Sequence, residues 1–142
     1  MRKTIHVAAA VIRRDGKIFA TRRGYGPWKD WWEFPGGKIE AGETPAEAIV
    51  REISEELDVR IRVDGEAGHV EYDYPEFHLS MECLYCTLTG GQPVLKEHED
   101  ARWLGTDELG SVDWLPADRL LVNTLKESIS KDERSGQAPE RG

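Results

Sequence analysis

A short glycine-containing turn that leads directly into a helix dense in glutamate constrains this chain more than any other part of its sequence. The segment covers residues 37–57 and reads GKIEAGETPAEAIVREISEEL. Because an α-helix turns by about 100° per residue, Glu52, Glu55 and Glu56 project from one face within two turns. Carboxylates at this spacing repel one another, and a hard divalent cation between them removes the repulsion. The pattern indicates a Mg²⁺ site, against the ordinary alternative of a solvated helix face.

The other sides of this helix are predicted to anchor and orient it. Thr44, Pro45 and Glu47 form a capping-box start with proline at the first helical position. Ala48 is expected on the acidic face, where a small side chain leaves space for a ligand. Arg51 is expected to orient carboxylates rather than to contact substrate, and its candidate partners are Glu43, Glu47 and Glu55. The predicted core-facing stripe consists of Ala46, Ile49, Val50, Ile53 and Leu57.

The turn and helix together resemble the signature of the Nudix family. That signature runs Gly, five residues, Glu, seven residues, Arg-Glu, an aliphatic residue, any residue, Glu-Glu, any residue, Gly and an aliphatic residue. Asp58 stands where the signature has its second glycine, at a helix end that favours a left-handed residue. A pattern with this many fixed positions is far more specific than a lone glycine motif. The matching residues are Gly37, Glu43, Arg51, Glu52, Ile53, Glu55, Glu56 and Val59.

The resemblance extends over residues 1 to about 129 and is to the MutT branch of the family. Members of that branch hydrolyse a nucleoside triphosphate to the monophosphate and pyrophosphate, and CTP pyrophosphohydrolase relatives share the layout. Outside the signature it rests on residues 32–40, WEFPGGKIE, and on residues 115–118, LPAD. It implies one Nudix domain over 1–129, of α+β (mixed α/β) class. The expected architecture is an α/β/α sandwich with a mixed central sheet, which the succession of strands and helices also favours.

The function implied by the resemblance is Mg²⁺-dependent hydrolysis of a nucleoside triphosphate, with Mn²⁺ as the alternative metal. Its substrates are expected among oxidised or modified (deoxy)nucleotides such as 8-oxo-dGTP, or among cytidine nucleotides. One alternative is a Nudix hydrolase of another nucleoside diphosphate derivative, such as a dinucleotide polyphosphate or a nucleotide sugar. Another is a non-catalytic nucleotide-binding Nudix-like domain. All the signature glutamates are present, so the sequence gives no sign of lost catalysis.

Under this resemblance, catalytic and metal-binding roles fall largely on the same residues. Family members often add a carboxylate from a distant loop, and Glu97 is selected by its spacing to Trp103. Glu52 and Glu97 are rival general bases, because sequence gives no distance to the attacking water. The carbonyl of Gly37, or that of Gly36, is a further oxygen ligand. The predicted catalytic residues are Arg51, Glu52, Glu55, Glu56 and Glu97, and the predicted metal ligands are Gly37, Glu52, Glu55, Glu56 and Glu97.

Residues outside the helix are expected to recognise the substrate and determine specificity. By resemblance Asp118 is expected to face the base, although its default role is a first-turn carboxylate favoured by the helix dipole. Ionised, it would accept from the cytosine amine; protonated, it would also suit the N–H edge of an oxidised guanine. The other candidates have packing or surface roles as their alternatives. The predicted substrate-binding residues are Arg23, Phe34, Gly36, Lys38, Tyr74, His78 and Asp118.

The composition of the chain and its amino-terminal sequence argue against several other classes of protein. The 142 residues fit one domain, and a net charge of −8 with a pI near 5.0 argues against binding to duplex nucleic acid. No apolar run approaches membrane-spanning length, and the amino terminus lacks a signal-peptide pattern, so a cytoplasmic enzyme is expected. Its partner is expected to be a small-molecule nucleoside triphosphate, and its state a monomer or homodimer. Cys83 and Cys86 are expected to be buried structural thiols rather than ligands of a shared zinc ion, because residues three apart in a strand face opposite sides.

The rest of the sequence predicts a strand-rich chain with a second helix. Asp15-Gly16 is a hairpin turn signal between the first two strands. The polar tail, residues 130–142, is predicted to be disordered. Strands are predicted at 4–14, 17–23, 59–74, 77–89, 93–95 and 102–104, and the last helix at 116 to about 129.

Overall fold

The computed structural model describes residues 2–135, with side chains described as far as residue 128. Within this range the chain forms seven strands, one short 3₁₀ helix and two α-helices, neither long and apolar enough to span a membrane. The helices are α1 (Pro45–Leu57) and α2 (Pro116–Ser135), and the 3₁₀ helix covers Thr106–Glu108. The strands are β1 (Lys3–Arg14), β2 (Lys17–Arg23), β3 (Trp32–Glu33), β4 (Gly36–Lys38), β5 (Arg60–Asp73), β6 (Phe77–Gly90) and β7 (His98–Gly105).

Strand β1 is the centre of a mixed sheet. It runs parallel to β6 and antiparallel to both β2 and β4. Strands β5 and β6 form a long antiparallel hairpin, while β3 and β7 both pair with β2. The main strand order is β3-β2-β1-β6-β5. Both strand orientations are present, as the predicted fold class requires.

Two apolar clusters lie on opposite faces of the sheet and complete the predicted sandwich. In one, Leu121 and Leu125 of α2 pack with buried residues of β1 and β6, including Cys83. In the other, Ile53 of α1 packs with the alternate residues of the same strands, including Cys86. The two cysteines are therefore buried free thiols on opposite faces, which confirms the prediction made from their spacing.

Helix α1 begins with the predicted capping box. Thr44 Oγ1 accepts a hydrogen bond from the Glu47 backbone N–H at 3.1 Å, and Glu47 Oε1 accepts one from the Thr44 N–H at 2.9 Å. Pro45 occupies the first helical position. The helix ends at Asp58, which adopts the left-handed conformation with φ 59° and ψ 39°. Aspartate therefore takes the place that glycine has in the signature without extending the helix.

The buried side of α1 is rotated from the predicted stripe. Ala48, expected on the acidic face, is fully buried, whereas Val50, expected in the core, is 40% exposed and Ala46 is only partly buried. The helix rests on the sheet through Ile49, Ile53 and Leu57, and the adjoining row, again at intervals of four residues, consists of Ala48, Glu52 and Glu56. Those two glutamates are consequently held against the sheet rather than in open solvent. The buried residues of α1 are Ala48, Ile49, Ile53 and Leu57.

Two further predictions of secondary structure were wrong. Residues 93–95 form no strand: Pro93 has no N–H to donate, and Val94 makes a backbone hydrogen bond to the Leu57 carbonyl at 2.8 Å instead. Helix α2 continues past the predicted end near residue 129 as far as Ser135, so the first part of the predicted disordered tail is helical. Residues 136–142 of that tail lie outside the described range.

Candidate active site

Two cavities adjoin beside the glycine turn and together form one cleft. The apolar cavity, of about 280 Å³, is walled mainly by hydrophobic side chains from β1, β6 and the segment leading into α2. The acidic cavity, of about 400 Å³, contains Glu56 and Glu97. The residues that line both are Arg23, Pro27, Glu33, Gly36 and Gly37. The cleft thus has an apolar half and an acidic half that meet at a common wall.

The glycine turn pairs with the central strand, and at both of its glycines an added side chain would collide with a neighbouring group. Gly36 and Gly37 pair with Ala9 and Ala8 of β1. A methyl group on Gly36 would lie 2.0 Å from the Ala8 carbonyl oxygen, whereas one on Gly37 would lie 2.4 Å from Glu52 Cδ. Backbone packing therefore requires the first glycine, and the Glu52 carboxylate requires the second.

Arg51 is bound to three of the glutamates around the turn. Its Nε and Nη2 donate to the two carboxylate oxygens of Glu43 at 2.7 and 2.9 Å. Its Nη1 donates to Glu52 at 3.0 Å and to Glu55 at 3.3 Å, and Nη2 also donates to the Lys38 carbonyl at 3.1 Å. Hydrogen bonding to Arg51 lowers the pKa of Glu43 to about 2. This geometry supports the orienting role predicted for Arg51.

Glu56 is the most deeply placed of the helix glutamates. Its Oε1 is buried and has no hydrogen-bond partner among the described residues. Burial, together with the nearby charges of Glu52, Glu33 and Glu97, raises the pKa of Glu56 to about 8. A buried carboxylate oxygen without a partner, next to other carboxylates, is well suited to bind a divalent cation. The donor chemistry of this half therefore fits Mg²⁺ or Mn²⁺.

The predicted metal ligands are only partly brought together. Gly37, Glu56 and Glu97 line the acidic cavity, and Glu52 lies against Gly37. Glu55 is 62% exposed on the outer side of α1. Among the side chains that the structure describes, residues 2–128, no three His, Cys, Asp or Glu residues converge on one point as the ligands of a metal site do.

Glu33, which the sequence did not single out, forms the wall between the two halves. Its Oε1 accepts a hydrogen bond from Arg23 Nη2 at 2.8 Å, and its Oε2 lies 3.7 Å from His98 Nε2. Burial opposes ionisation of Glu33, but the neighbouring His98 and the hydrogen-bonded Arg23 outweigh it and lower its pKa. The available signal was a lone charge among buried aromatic residues, Trp32 and Phe34, immediately before the glycine turn.

Asp118 lies at the inner end of the apolar half. Its Oδ2 accepts a hydrogen bond from the Phe34 backbone N–H at 2.9 Å, and the residue is only 6% exposed. Burial raises the pKa of Asp118 to about 8, with repulsion from Glu33 adding to the shift. Tyr74 forms part of the same wall, and its hydroxyl accepts a hydrogen bond from the Ala117 N–H at 3.1 Å. Three predicted substrate residues, Phe34, Tyr74 and Asp118, are thus brought together.

Two further predicted substrate residues, Lys38 and His78, lie in different places. Lys38 lines the acidic cavity. His78 lines neither cavity and instead hydrogen bonds to Asp73 at 2.6 Å and to Glu71. Alternation along β6 explains this, because Phe77 faces the apolar cavity and its neighbour must face the other side of the sheet.

The loop between β2 and β3, residues 24–31, reaches both halves of the cleft and was not predicted as part of the site. Tyr25 lines the acidic half, where its hydroxyl donates to Glu97 Oε1 at 3.3 Å. Trp28 lines the apolar half. The sequence signal was the density of aromatic residues, which is too high for a plain connection.

The chain matches a known family over nearly its whole length. The family model described as NUDIX domain matches residues 2–130. The chain is a Nudix hydrolase. It is 33% identical over 126 residues to an 8-oxo-dGTP diphosphatase of Escherichia coli (strain K12), a match that covers 87% of this chain and 98% of the relative.

Two further matches agree with this assignment. A CTP pyrophosphohydrolase of the same organism is 32% identical over 136 residues, covering 87% of this Nudix hydrolase and 92% of the relative. The crystal structure of a MutT NUDIX hydrolase from Burkholderia pseudomallei superposes with a TM-score of 0.79 at 25% identity, covering 87% of this chain and 99% of that one.

These matches confirm the predicted family, fold class and enzyme class. This Nudix hydrolase is an enzyme whose relatives are named for hydrolysis of nucleoside triphosphates. The names differ in the base, which is an oxidised guanine in one relative and cytosine in the other.

Proposed function

We propose that this Nudix hydrolase is a Mg²⁺-dependent nucleoside triphosphate pyrophosphohydrolase that acts on oxidised or modified (deoxy)nucleotides such as 8-oxo-dGTP, or on cytidine nucleotides. The observation that carries the proposal is the cleft itself, in which an apolar half adjoins an acidic half across Arg23 and Glu33. We place the base in the apolar half, from which the phosphate chain would extend past the Arg23 guanidinium into the acidic half.

The acidic half is proposed to hold Mg²⁺, with Mn²⁺ as the alternative. The proposed ligands are Gly37 through its carbonyl, Glu52, Glu56 and Glu97, with Glu55 at the rim. The bound ion would neutralise the phosphate oxygens and make phosphorus accessible to water. Such neutralisation is needed here, because a chain with a net charge of −8 otherwise repels a triphosphate.

The chain's own residues orient the reacting groups. Arg51 fixes Glu52, and the Tyr25 hydroxyl donates to Glu97, so each of the two candidate general bases is held by a neighbour. Lys38 and Arg23 are proposed to bind phosphate oxygens from opposite parts of the acidic half. Attack at the β-phosphorus, which releases pyrophosphate, follows from the likeness to MutT relatives rather than from a measured distance.

The base is proposed to meet Asp118. With its pKa near 8 this side chain carries a proton at neutral pH, so it donates one hydrogen bond and accepts another. Both cytosine and oxidised guanine present a donor beside an acceptor, which agrees with the two names found among the relatives. The proposed partner is a small-molecule nucleotide and the proposed compartment the cytoplasm; monomer or homodimer stays a prediction.

A substrate panel tests the proposal directly. Purified protein with Mg²⁺ should release pyrophosphate from at least one of a set of normal, oxidised and methylated triphosphates. Glu56→Gln should lower kcat by orders of magnitude, and Glu55→Gln by less, because Glu56 is buried in the acidic half and Glu55 is largely exposed. Glu47→Gln is the matched control, since Gln preserves the capping box on the same helix.

Two outcomes of the panel would overturn the proposal. One is that pyrophosphate never appears with any triphosphate. The other concerns a dinucleotide polyphosphate and a nucleotide sugar assayed beside the triphosphates: faster hydrolysis of either would support a different Nudix substrate class.

The role of Asp118 needs its own experiment. Asp118→Asn should change the ranking of bases in the panel more than the rate on the best substrate, because an amide cannot exchange its donor and acceptor positions with protonation. An unchanged ranking would remove Asp118 from base recognition.

A further inference from the structure

The aromatic side chains of the apolar half differ in how much of their surface is free. Phe34 is buried and stacks on Trp114 with ring centroids 4.6 Å apart. Tyr74 is also buried and stacks on Phe77 at 5.2 Å. Trp28, in contrast, lines the cavity while 37% of its surface stays exposed. It is therefore the cavity aromatic with the most surface left for a flat ligand.

The position of Trp28 is held by edge contacts with two other rings. Its ring centroid lies 5.8 Å from that of Tyr74 at an interplanar angle of 68°, and 5.2 Å from that of Trp31 at 89°. Edge-to-face contacts of this kind fix the orientation of a ring beyond the effect of burial. The indole is therefore set in place at the mouth of the cavity before any ligand arrives.

The backbone of the loop is wound to bring this indole to the cavity. Gly26, Trp28 and Asp30 all have left-handed φ angles, of 75°, 69° and 78°. A left-handed conformation is rare for a bulky residue, and such strain persists mainly at ligand clamps and catalytic sites. The loop is closed by reciprocal hydrogen bonds of Arg23, whose carbonyl accepts from the Asp30 N–H and whose N–H donates to the Trp31 carbonyl, both at 2.9 Å.

The same arginine ties the loop to the common wall of the cleft. Arg23 Nη1 donates to the Pro27 carbonyl at 3.2 Å, while Nη2 is paired with Glu33. The residue before Trp28 is thus anchored to the group proposed to meet the phosphates. This links the placement of the indole to the substrate site rather than to the outer surface.

We propose that Trp28 stacks on the nucleobase and biases this enzyme toward purine over pyrimidine nucleotides. The inference rests on the proposed function in placing the base in the apolar half. A purine presents a larger ring system than a pyrimidine, so it gains more from overlap with the indole. Removing a stacking side chain from a base typically weakens binding by about tenfold or more.

Equilibrium binding of product nucleotides tests this without turnover. Binding of dGMP and dCMP to the full chain would be measured by calorimetry for the wild type, Trp28→Ala, Trp28→Phe and Lys29→Ala. Trp28→Ala should weaken dGMP binding about tenfold or more and dCMP binding clearly less. Trp28→Phe should restore most of the dGMP affinity, because phenylalanine keeps a flat ring.

Lys29→Ala is the matched control. Lys29 follows Trp28 in the same loop, lines neither cavity, and its exposed side chain pairs with Asp30 at 3.1 Å and Glu99 at 3.2 Å. It should leave the ratio of the dGMP and dCMP dissociation constants within about threefold of the wild type, well short of a lost stacking contact. An equal change of that ratio in both alanine variants would show a general effect of the loop and overturn the proposal.

Two other results for Trp28→Ala would also overturn it: unchanged binding of dGMP, or equal weakening of both nucleotides. If Trp28→Ala fails to fold, Trp28→Leu replaces it in the same ratio measurement, because leucine fills space without a ring. Failure of the proposed function would be distinguishable from failure of this inference. In that case triphosphates would release no pyrophosphate, while dGMP binding would still depend on Trp28.

Discussion

A methyl group at Gly37 provides a sharp test of the acidic half. In Gly37→Ala the new Cβ would lie 2.4 Å from Glu52 Cδ and 2.5 and 2.7 Å from its two carboxylate oxygens. Ordinary contact begins near 3.4 Å, so the carboxylate must withdraw by about 1 Å. A displacement of this size in a catalytic group costs about 10²-fold in rate, or about 3 kcal/mol in the activation barrier.

The fold should tolerate this substitution. The atoms in the way belong to the end of a flexible side chain, and Gly37 does not have a left-handed φ. Alanine in place of glycine at an unstrained position also restricts the unfolded chain, which stabilises a protein by about 0.4–1 kcal/mol. We therefore expect kcat for pyrophosphate release to fall about 10²-fold while Tm stays within a few degrees of the wild type.

Two other glycines supply the controls. Gly65→Ala adds the same methyl group where no atom lies within 4 Å, so kcat should be unchanged and Tm should be equal or slightly higher. Gly36→Ala places it 2.0 Å from the Ala8 carbonyl oxygen and should impair folding itself. Binding of Mn²⁺, followed by electron paramagnetic resonance, should weaken in Gly37→Ala. Retention of kcat within threefold would refute the reasoning, as would a large drop in Tm.

Three smaller changes test other parts of the structure. Asp58→Gly should raise Tm by a few degrees at unchanged kcat, because glycine adopts the left-handed helix end without the cost borne by aspartate; a lower Tm would contradict this. Thr44→Ala should destabilise the fold by about 1 kcal/mol in urea unfolding, through loss of the cap; no change would show the capping box to be dispensable. Because the pKa of Asp118 is raised from 3.8 to about 8, the folded state binds more protons than the unfolded state between these values, and stability falls as pH rises through that window. Asp118→Asn should remove this part of the fall, and Tm curves from pH 5 to pH 9 that run parallel for both proteins would contradict it.

Local sequence was sufficient where the structure is set by neighbours along the chain. The capping box depends on residues three apart, and the opposite faces of Cys83 and Cys86 follow from strand alternation. The signature fixed the glutamate helix for the same reason. The orientation of this helix about its own axis could not be predicted from sequence. Ala46, Ala48 and Val50 are all small apolar residues, and the packing of the helix on the sheet determines which of them is buried.

The missed site residues depend on contacts between distant parts of the chain. Glu33 acquires its role only because β3, two residues long, pairs with β2 and brings it to Arg23. Tyr25 meets Glu97 across 72 positions of sequence. No periodic pattern marks such pairs. In contrast, the likeness to the family was enough to expect Asp118 at the base site. The structure places it in the wall of the apolar half, where it accepts a hydrogen bond from the Phe34 N–H, and its role in base recognition stays a prediction.

The pairing of the glycine turn with β1 has a consequence for how the enzyme loses activity. Residues 35–39 are hydrogen bonded in register to residues 6–10 of the most central strand of the sheet. Active-site loops usually belong to the parts of a protein that open first, but this pairing is expected to give the turn the protection of the core against amide hydrogen exchange. The loop 24–31 has no such pairing along its length. If Trp28 contacts the base as proposed, warming the enzyme short of unfolding should therefore reduce its discrimination between bases while the glycine turn keeps its structure.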